Sequence, residues 1–305
     1  MISIIIPLYN KRDSIARALI SVLNQTYTNY EIIVINDGST DGSAHIAEQI
    51  LVDSSLPTES FCVYSQANSG VSAARNQGVK LAEGEWVAFL DADDEWVTDY
   101  LEAQNSLIED YPESTITGLA HKKAWINSKN HNTIVSPDFQ YRGLLPSNWS
   151  LGCPFWTGCV MVKREALINL KDGMFDEKLS YGEDLDVWMR LMYYGVAAFD
   201  SKVGAIYYQD AENKLTSGHM PLREHIPSLV DKYATMRSEN SYFRRYFDTQ
   251  MIYRLYPYLF NKTEASLAKQ LGEKLDYSQL KYSLFFRMNH PSIYKFFTTI
   301  RDIWN

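Results

Sequence analysis

Phe89-Leu90-Asp91-Ala92-Asp93-Asp94 sets three carboxylates within four positions, directly after an apolar run that begins at Trp86. An unpaired carboxylate is costly to bury, so packing does not account for acids at the end of a buried strand. Two aspartates one residue apart can place oxygens on one hard divalent cation, Mg²⁺ or Mn²⁺, which a diphosphate can also ligate. A solvated acidic turn is the plain alternative for so short a motif. A second cluster, Gly182-Glu183-Asp184-Leu185-Asp186, opens a helix with Leu185, Trp188, Met189 and Met192 on one face. Acids in a first helical turn also favour the helix macrodipole, which alone would explain them. On a wheel of about 100° per residue Asp184 leans towards the body, while Glu183 and Asp186 project to water. A carboxylate held at a helix start over a cleft suits a general base for an acceptor hydroxyl.

Those residues need elements to position them. Ser3–Pro7, Glu31–Asn36, Phe61–Ser65 and Trp86–Leu90 read as strands, with helices over Ile15–Leu23, Ala44–Val52 and Ser72–Ala82 between them. Apolar strands without alternation, interleaved with helices, predict a parallel sheet covered on both faces. Ligands bind such sheets beyond the carboxyl ends of the strands. Polar residues cluster there: Tyr9 and Asn10 after the first strand, Asp37 after the second, Asn68 and Gly70 after the third, Asp91 and Asp93 after the fourth. From about residue 113 the pattern changes to shorter strands over Ser114–Leu119, Ala120–Asn127, Cys159–Val162 and Val203–Tyr208, with a helix near Arg164–Leu170. Beyond residue 220 it reads as helical.

Composition bounds the function classes. The 305 residues are 46% hydrophobic and 22% charged, which excludes global disorder. No Gly-x-Gly-x-x-Gly follows the first strand and no P-loop occurs, which disfavours a dinucleotide-binding dehydrogenase and a P-loop NTPase. Cys62, Cys153 and Cys159 are odd in number and lack metal-ligand spacing, so a reduced, cytosolic setting is expected. The first residues lack a basic n-region and cleavage site and read as a strand rather than a secretion signal. The net charge of −8 is uneven: residues 1–220 hold 16 basic and 29 acidic residues, whereas residues 221–305 hold 13 and 8. That is no nucleic-acid pattern, but a basic, aromatic tail (242–260 and 281–304) can meet an anionic membrane surface. A helical subdomain with packed aromatics is the competing account.

Five pieces taken in order resemble the inverting family-2 glycosyltransferases: Ile4 to Asn10, Val34 to Asp41, Asn68 to Gly78, Leu90 to Asp94 and Gly182 to Leu191. The resemblance covers roughly residues 1–216 and implies the GT-A fold, a Rossmann-like, mostly parallel α/β sheet with helices on both faces. It implies a catalytic domain over 1–219, with 1–112 as the nucleotide half and 113–219 as the acceptor half, followed by a helical region over 220–305. It further implies sugar transfer, hexosyl or N-acetylhexosaminyl, from a UDP-sugar to a glycan or lipid-linked oligosaccharide, in surface polysaccharide synthesis at the cytoplasmic face. Asp37 would accept from the uracil ring N–H; the plain alternative is an Asx-turn residue before Gly38. Pro7, Tyr9 and Ala92 would lie by the nucleotide and Arg75 by the diphosphate, where a lone arginine would otherwise be exposed on its helix. Asp91 would meet ribose or metal, and Asp93 the Mg²⁺ or Mn²⁺ that offsets charge on the departing diphosphate. Asp184 would be the base, with Trp156, Gly158 and Glu183 on the sugar or acceptor side. The chain departs from the family at Ala211, where many relatives carry a metal-ligating histidine; Asp210, Glu212 or His219 could compensate. A nucleotidyltransferase would want a glycine in Tyr9-Asn10-Lys11-Arg12, and a non-catalytic sugar-binding protein would not need every aspartate.

Overall fold

The computed structural model describes residues 1–124, 134–136, 140–146, 153–179, 181–209, 221–222 and 226–276. The chain begins with β1 (Ile2–Leu8), α1 (Ile15–Leu23), β2 (Tyr30–Asp37), α2 (Ser43–Val52), β3 (Phe61–Gln66), α3 (Val71–Leu81) and β4 (Trp86–Phe89). These four strands run parallel in the order β3-β2-β1-β4. Alternate residues of β1 explain the layers, because side chains along a strand point to opposite faces. Ile4, Ile6 and Leu8 share one core with Ile15, Leu19 and Val22 of α1 and with Ala47 and Leu51 of α2. On the other face α3 sits so close that a Cβ on Gly78 would stand 2.4 Å from Ile5 Cγ2. Glycine there is a packing requirement.

The sheet continues through β5 (Glu95–Trp96), β6 (Ile116–Ala124), β7 (Ile134–Ser136), β8 (Arg142–Leu144), β9 (Val160–Lys163) and β10 (Ala197–Tyr208), with helices α4 (Tyr100–Asp110), α5 (Arg164–Ile168) and α6 (Glu183–Tyr194). Its main path is β3-β2-β1-β4-β9-β6-β10-β5. Among the described residues parallel pairing is confined to the first four strands and to β6 with β10; β9 is antiparallel to both of its neighbours. The two strands expected over 114–127 are one strand, β6, through residue 124. It passes from a buried to a partly exposed half at Ala120, and that change of surroundings looks like a break in the sequence. β10 begins six residues before the expected Val203, because polar Asp200, Ser201 and Lys202 hide a stretch with register shifts. α4 carried no helical expectation. Its Gln104 is fully buried, donating to the Cys159 carbonyl at 2.9 Å and accepting from the Thr117 hydroxyl at 2.8 Å.

α6 lies on the α3 face. Trp188 meets Phe89 of β4 and Phe175, with ring centroids 5.9 and 5.7 Å away, and those two rings are 5.4 Å apart. Aromatic contacts at such distances contribute about 0.5–1.5 kcal/mol each beyond area burial. They set the start of α6 beside the ends of β4 and α3.

The chain falls into two compact units, 1–145 with 154–218 and 146–153 with 219–305. The second contains α7 (Ile226–Lys232), α8 (Ala234–Glu239), α9 (Ser241–Leu255) and α10 (Ala265–Gly272). α9 turns Phe243, Tyr246, Phe247, Met251, Ile252 and Leu255 into that unit's own core, where Phe243 and Phe247 pack against Tyr233. Arg237 donates to both carboxylate oxygens of buried Asp248, at 2.7 and 3.1 Å. Residues 281–304 lie outside the described residues. No described helix is long and apolar enough to cross a membrane.

Candidate active site

The loops after β1 and β2 are stitched together by side chains. Asn10, at φ +49°, accepts from the Thr40 backbone N–H at 2.8 Å, and its own N–H donates to Ser39 Oγ at 3.1 Å. Asn and Asp tolerate the left-handed region because their short polar chains bond locally. Arg12 N–H donates to Asp41 at 2.9 Å. Gly38, at φ +76°, also approaches the next loop: a Cβ there would be 2.9 Å from the Asn68 nitrogen. These ties hold Pro7, partly buried, and Tyr9, 46% exposed, at the mouth of the sheet.

Asp37 ends β2 and is 3% exposed. Its carboxylate accepts from Gln66 Nε2 at 2.8 Å, from the Ser69 N–H at 2.9 Å and from the Gly70 N–H at 2.8 Å. The Asx-type bond expected of Asp37 belongs to Asn36, which accepts from the Ser39 N–H at 3.0 Å. A carboxylate has about four acceptor positions. Among the described residues three are filled, two on Oδ1 and one, by Gly70, on Oδ2, which leaves one position on Oδ2.

Arg75 is not the exposed helix arginine that its position suggested. It is 4% exposed on α3 and makes ion pairs with Asp91 Oδ1 at 2.9 Å and Glu183 Oε1 at 2.8 Å. The arginine therefore ties the end of β4 to the first turn of α6. Burial alone would lower its pKa, but the charges of Asp91, Glu183 and Asp184 outweigh that and raise it. Glu183 is raised above the ordinary carboxyl range by burial and then by Asp184, with Arg75 opposing.

The wheel's assignment of α6 is corrected here. Glu183 and Asp186 are buried, at 8% and 0% exposure, and Asp184 is the partly exposed acid. The wheel assumed one dry stripe and one wet face, but both flanks of this first turn are covered and each buried acid has an arginine. Asp186 pairs with Arg190 at 2.6 Å, and Arg190 donates to the carbonyls of Lys171, Gly173 and Met174, pinning the preceding loop. Asp184 Oδ2 accepts from the Thr157 hydroxyl at 3.0 Å, and Oδ1 accepts from the Leu185 N–H. Thr157 is 1% exposed and was not singled out from sequence; its only signal was its place between Trp156 and Gly158.

Trp156 is partly buried, and the carbonyl of Gly158 accepts from Trp96 Nε1 at 2.7 Å. A Cβ on Gly158 would fall 2.7 Å from Trp156 Cζ3, so the glycine lets the indole lie against the backbone. Ala92 is 2% exposed and packs in the core under the aspartates. Asp93 Oδ2 lies 2.7 Å from Lys11 Nζ, its carbonyl accepts from Arg17 at 2.7 Å, and Asp94 accepts from the Tyr208 N–H at 3.1 Å. Lys11 and Arg17 were also missed, being basic residues without a recognisable spacing.

Among the described residues no three or more His, Cys, Asp or Glu side chains converge as a metal cage. Asp91 and Asp93 still fit a hard divalent cation, because Mg²⁺ commonly takes one or two carboxylates and completes its shell with substrate phosphates and water. The Lys11 ammonium on Asp93 marks a position that accepts positive charge. Asp210, Ala211, Glu212 and His219 lie outside the described residues.

Known proteins resemble this chain in sequence and in fold. The model of the glycosyl transferase family 2 matches residues 3–170. An uncharacterized glycosyltransferase of Rickettsia typhi is 31% identical over 212 residues, covering 67% of this chain and 62% of that protein, so the chain spans less than two thirds of it. An Escherichia coli protein named UDP-Glc:alpha-D-GlcNAc-diphosphoundecaprenol beta-1,3-glucosyltransferase is 29% identical over 216 residues, 68% of this chain and 77% of its own length. Among solved structures, S. aureus TarS 1–349 in complex with UDP-GlcNAc superposes with a TM-score of 0.60 at 20% identity, over 89% of this chain and 70% of that one. That likeness is one of fold and agrees with the GT-A arrangement.

Proposed function

The chain belongs to glycosyl transferase family 2, and from that premise we propose that it moves a hexosyl or N-acetylhexosaminyl group from a UDP-sugar to a hydroxyl of a glycan or lipid-linked oligosaccharide, in surface polysaccharide synthesis. The observation that carries the reading is the Arg75 bridge, which brings the acid after β4 and the acids opening α6 to one place at the carboxyl ends of the strands. The glucosyltransferase relative named above supports both the donor class and the diphospholipid acceptor class, and the TarS complex supports a UDP-sugar donor.

Asp37 reads the base through its remaining acceptor position, with Pro7 and Tyr9 beside the nucleoside, Ala92 packed beneath the acids that follow β4, and Arg75 behind the diphosphate. Asp91 and Asp93 would hold Mg²⁺ or Mn²⁺, whose chemistry is neutralisation of charge on the departing diphosphate. Asp184, fixed by the Thr157 hydroxyl, takes the acceptor hydroxyl's proton as that oxygen bonds to the anomeric carbon. The bond to UDP breaks on the opposite face, so the centre inverts, as in single displacements at glycosidic carbons. Trp156, Gly158 and Glu183 belong to the sugar and acceptor side. Work at the cytoplasmic face of a membrane rests on the basic excess of residues 221–305, since Phe243, Tyr246 and Phe247 of α9 are turned inward.

A donor screen by thermal unfolding, with and without Mn²⁺, tests the reading. A ligand at 100 times its Kd stabilises by about 2.7 kcal/mol, so UDP and UDP-sugars with Mn²⁺ should raise the midpoint clearly. Asp93→Ala should remove the metal-dependent part, and Asp184→Asn should keep UDP binding but lose transfer. No response to UDP, with a response to another nucleotide, would overturn the donor.

A further inference from the structure

Three aromatic rings with no role in nucleotide binding meet beside the residue that orients the base. His121 of β6 lies with its ring centroid 4.6 Å from Trp156, at an interplanar angle of 36°. Tyr207, near the end of β10, is 5.0 Å from Trp156 and 6.5 Å from His121. All three are partly exposed, and their rings pack against one another. The cluster holds an imidazole, an indole and a phenol together without fully burying any of the three residues.

We propose that His121, Trp156 and Tyr207 form the seat for the acceptor's terminal pyranose, a reading that rests on the transferase function proposed above. A pyranose has a face of C–H bonds flanked by hydroxyls, so it suits an aromatic surface with polar atoms at its rim. The acceptor is the occupant, rather than the donor sugar, because of where the seat is anchored. Trp156 precedes Thr157, whose hydroxyl holds Asp184 at 3.0 Å, and the base must face the attacking hydroxyl. The strand pair β6 and β10, which carries His121 and Tyr207, is separate from the β1, β2 and β4 ends where the nucleotide residues lie. Gly158 contributes by absence, since any Cβ would push on the indole. Burial, and then the charge of Lys123, hold the His121 pKa down at about 4. The imidazole is therefore neutral at physiological pH, with one nitrogen able to donate to a sugar hydroxyl and the other to accept.

The test follows UDP release from UDP-glucose and UDP-N-acetylglucosamine with Mn²⁺, with methyl glucopyranoside and methyl N-acetylglucosaminide as acceptor probes. Wild type should release UDP faster as one of these pyranosides is raised, to saturation. His121→Ala should raise the half-saturating pyranoside concentration about tenfold relative to that of the donor, since loss of one good ring contact is worth roughly that factor, and Trp156→Phe should raise it by a smaller factor. Trp156→Phe keeps a ring in place, and a wild-type-like unfolding midpoint in either variant separates lost recognition from lost folding. A wild type that frees no UDP from either donor overturns the transferase reading beneath the proposal. A wild type that frees UDP but ignores both pyranosides, or folded variants with an unchanged ratio, overturns the seat.

Discussion

Arg75→Met removes a guanidinium that faces two carboxylates of different burial. Asp91 is 29% exposed and can be resolvated, so its share is of the surface kind, about 0–1 kcal/mol. The Glu183 side chain is 11% exposed and cannot recover its hydration. Removing one partner of a buried pair costs about 3–5 kcal/mol, because the other charge is left uncompensated. For a chain of this size that is a fall in unfolding midpoint on the order of 10 °C. The loss should depend on pH in a defined direction. Glu183 already has a pKa raised above its ordinary 4.5 by burial and then by Asp184, and the methionine variant lacks the arginine that opposes them. A carboxyl whose folded-state pKa lies above its unfolded value adds stability below the unfolded pKa and loses it as pH rises through the folded pKa. The variant's deficit against wild type should therefore be small below about pH 4.5 and widen as pH increases. Arg75→Met with Glu183→Gln removes the orphaned charge and should recover most of the loss. Thermal unfolding of the wild type, both single variants and the double variant across pH 4–8 measures this. An unchanged midpoint in Arg75→Met, or a double variant no more stable than the single one, would refute the bridge as drawn.

Other outcomes follow from single contacts. Thr157→Val deletes the hydroxyl bonded to Asp184 and should lower kcat about ten- to a hundredfold, the equivalent of one hydrogen bond to a charged group, with little change in donor KM; Thr157→Ser should restore it. Asp37→Asn loses acceptor positions for Gln66, Ser69 and Gly70; it should cost about 1–2 kcal/mol in urea unfolding and weaken the UDP-induced thermal shift further. Gly158→Ala forces a Cβ against the Trp156 ring and should destabilise by about 1–3 kcal/mol, with a shifted tryptophan fluorescence maximum; an unperturbed spectrum would contradict the packing.

Part of the candidate site was legible because a cluster of acids is costly at the end of a buried strand unless it is partnered, and a second cluster opens a helix. Asp91, Asp93 and Asp184 stood out for that reason, and the repeated strand-to-polar-turn order placed Asp91 and Asp93 beyond the carboxyl ends of a parallel sheet. The wheel failed on Glu183 and Asp186, since a wheel sees one helix and not the α3 face and the 171–174 loop that enclose it. α4 failed similarly: besides Tyr100 one turn away, its buried Gln104 needs Thr117 and Cys159, partners 13 and 55 residues away.

Local residue order, then, determined the alternating elements of the first half, the positions of the acids and the family. Tertiary structure alone decided which charges are paired, which acid in the first turn of α6 stays partly exposed, and that His121, Trp156 and Tyr207 meet. The reason is physical: periodicity and turn chemistry act over a few residues, whereas desolvation and ion pairing depend on what the rest of the chain brings within a few ångströms.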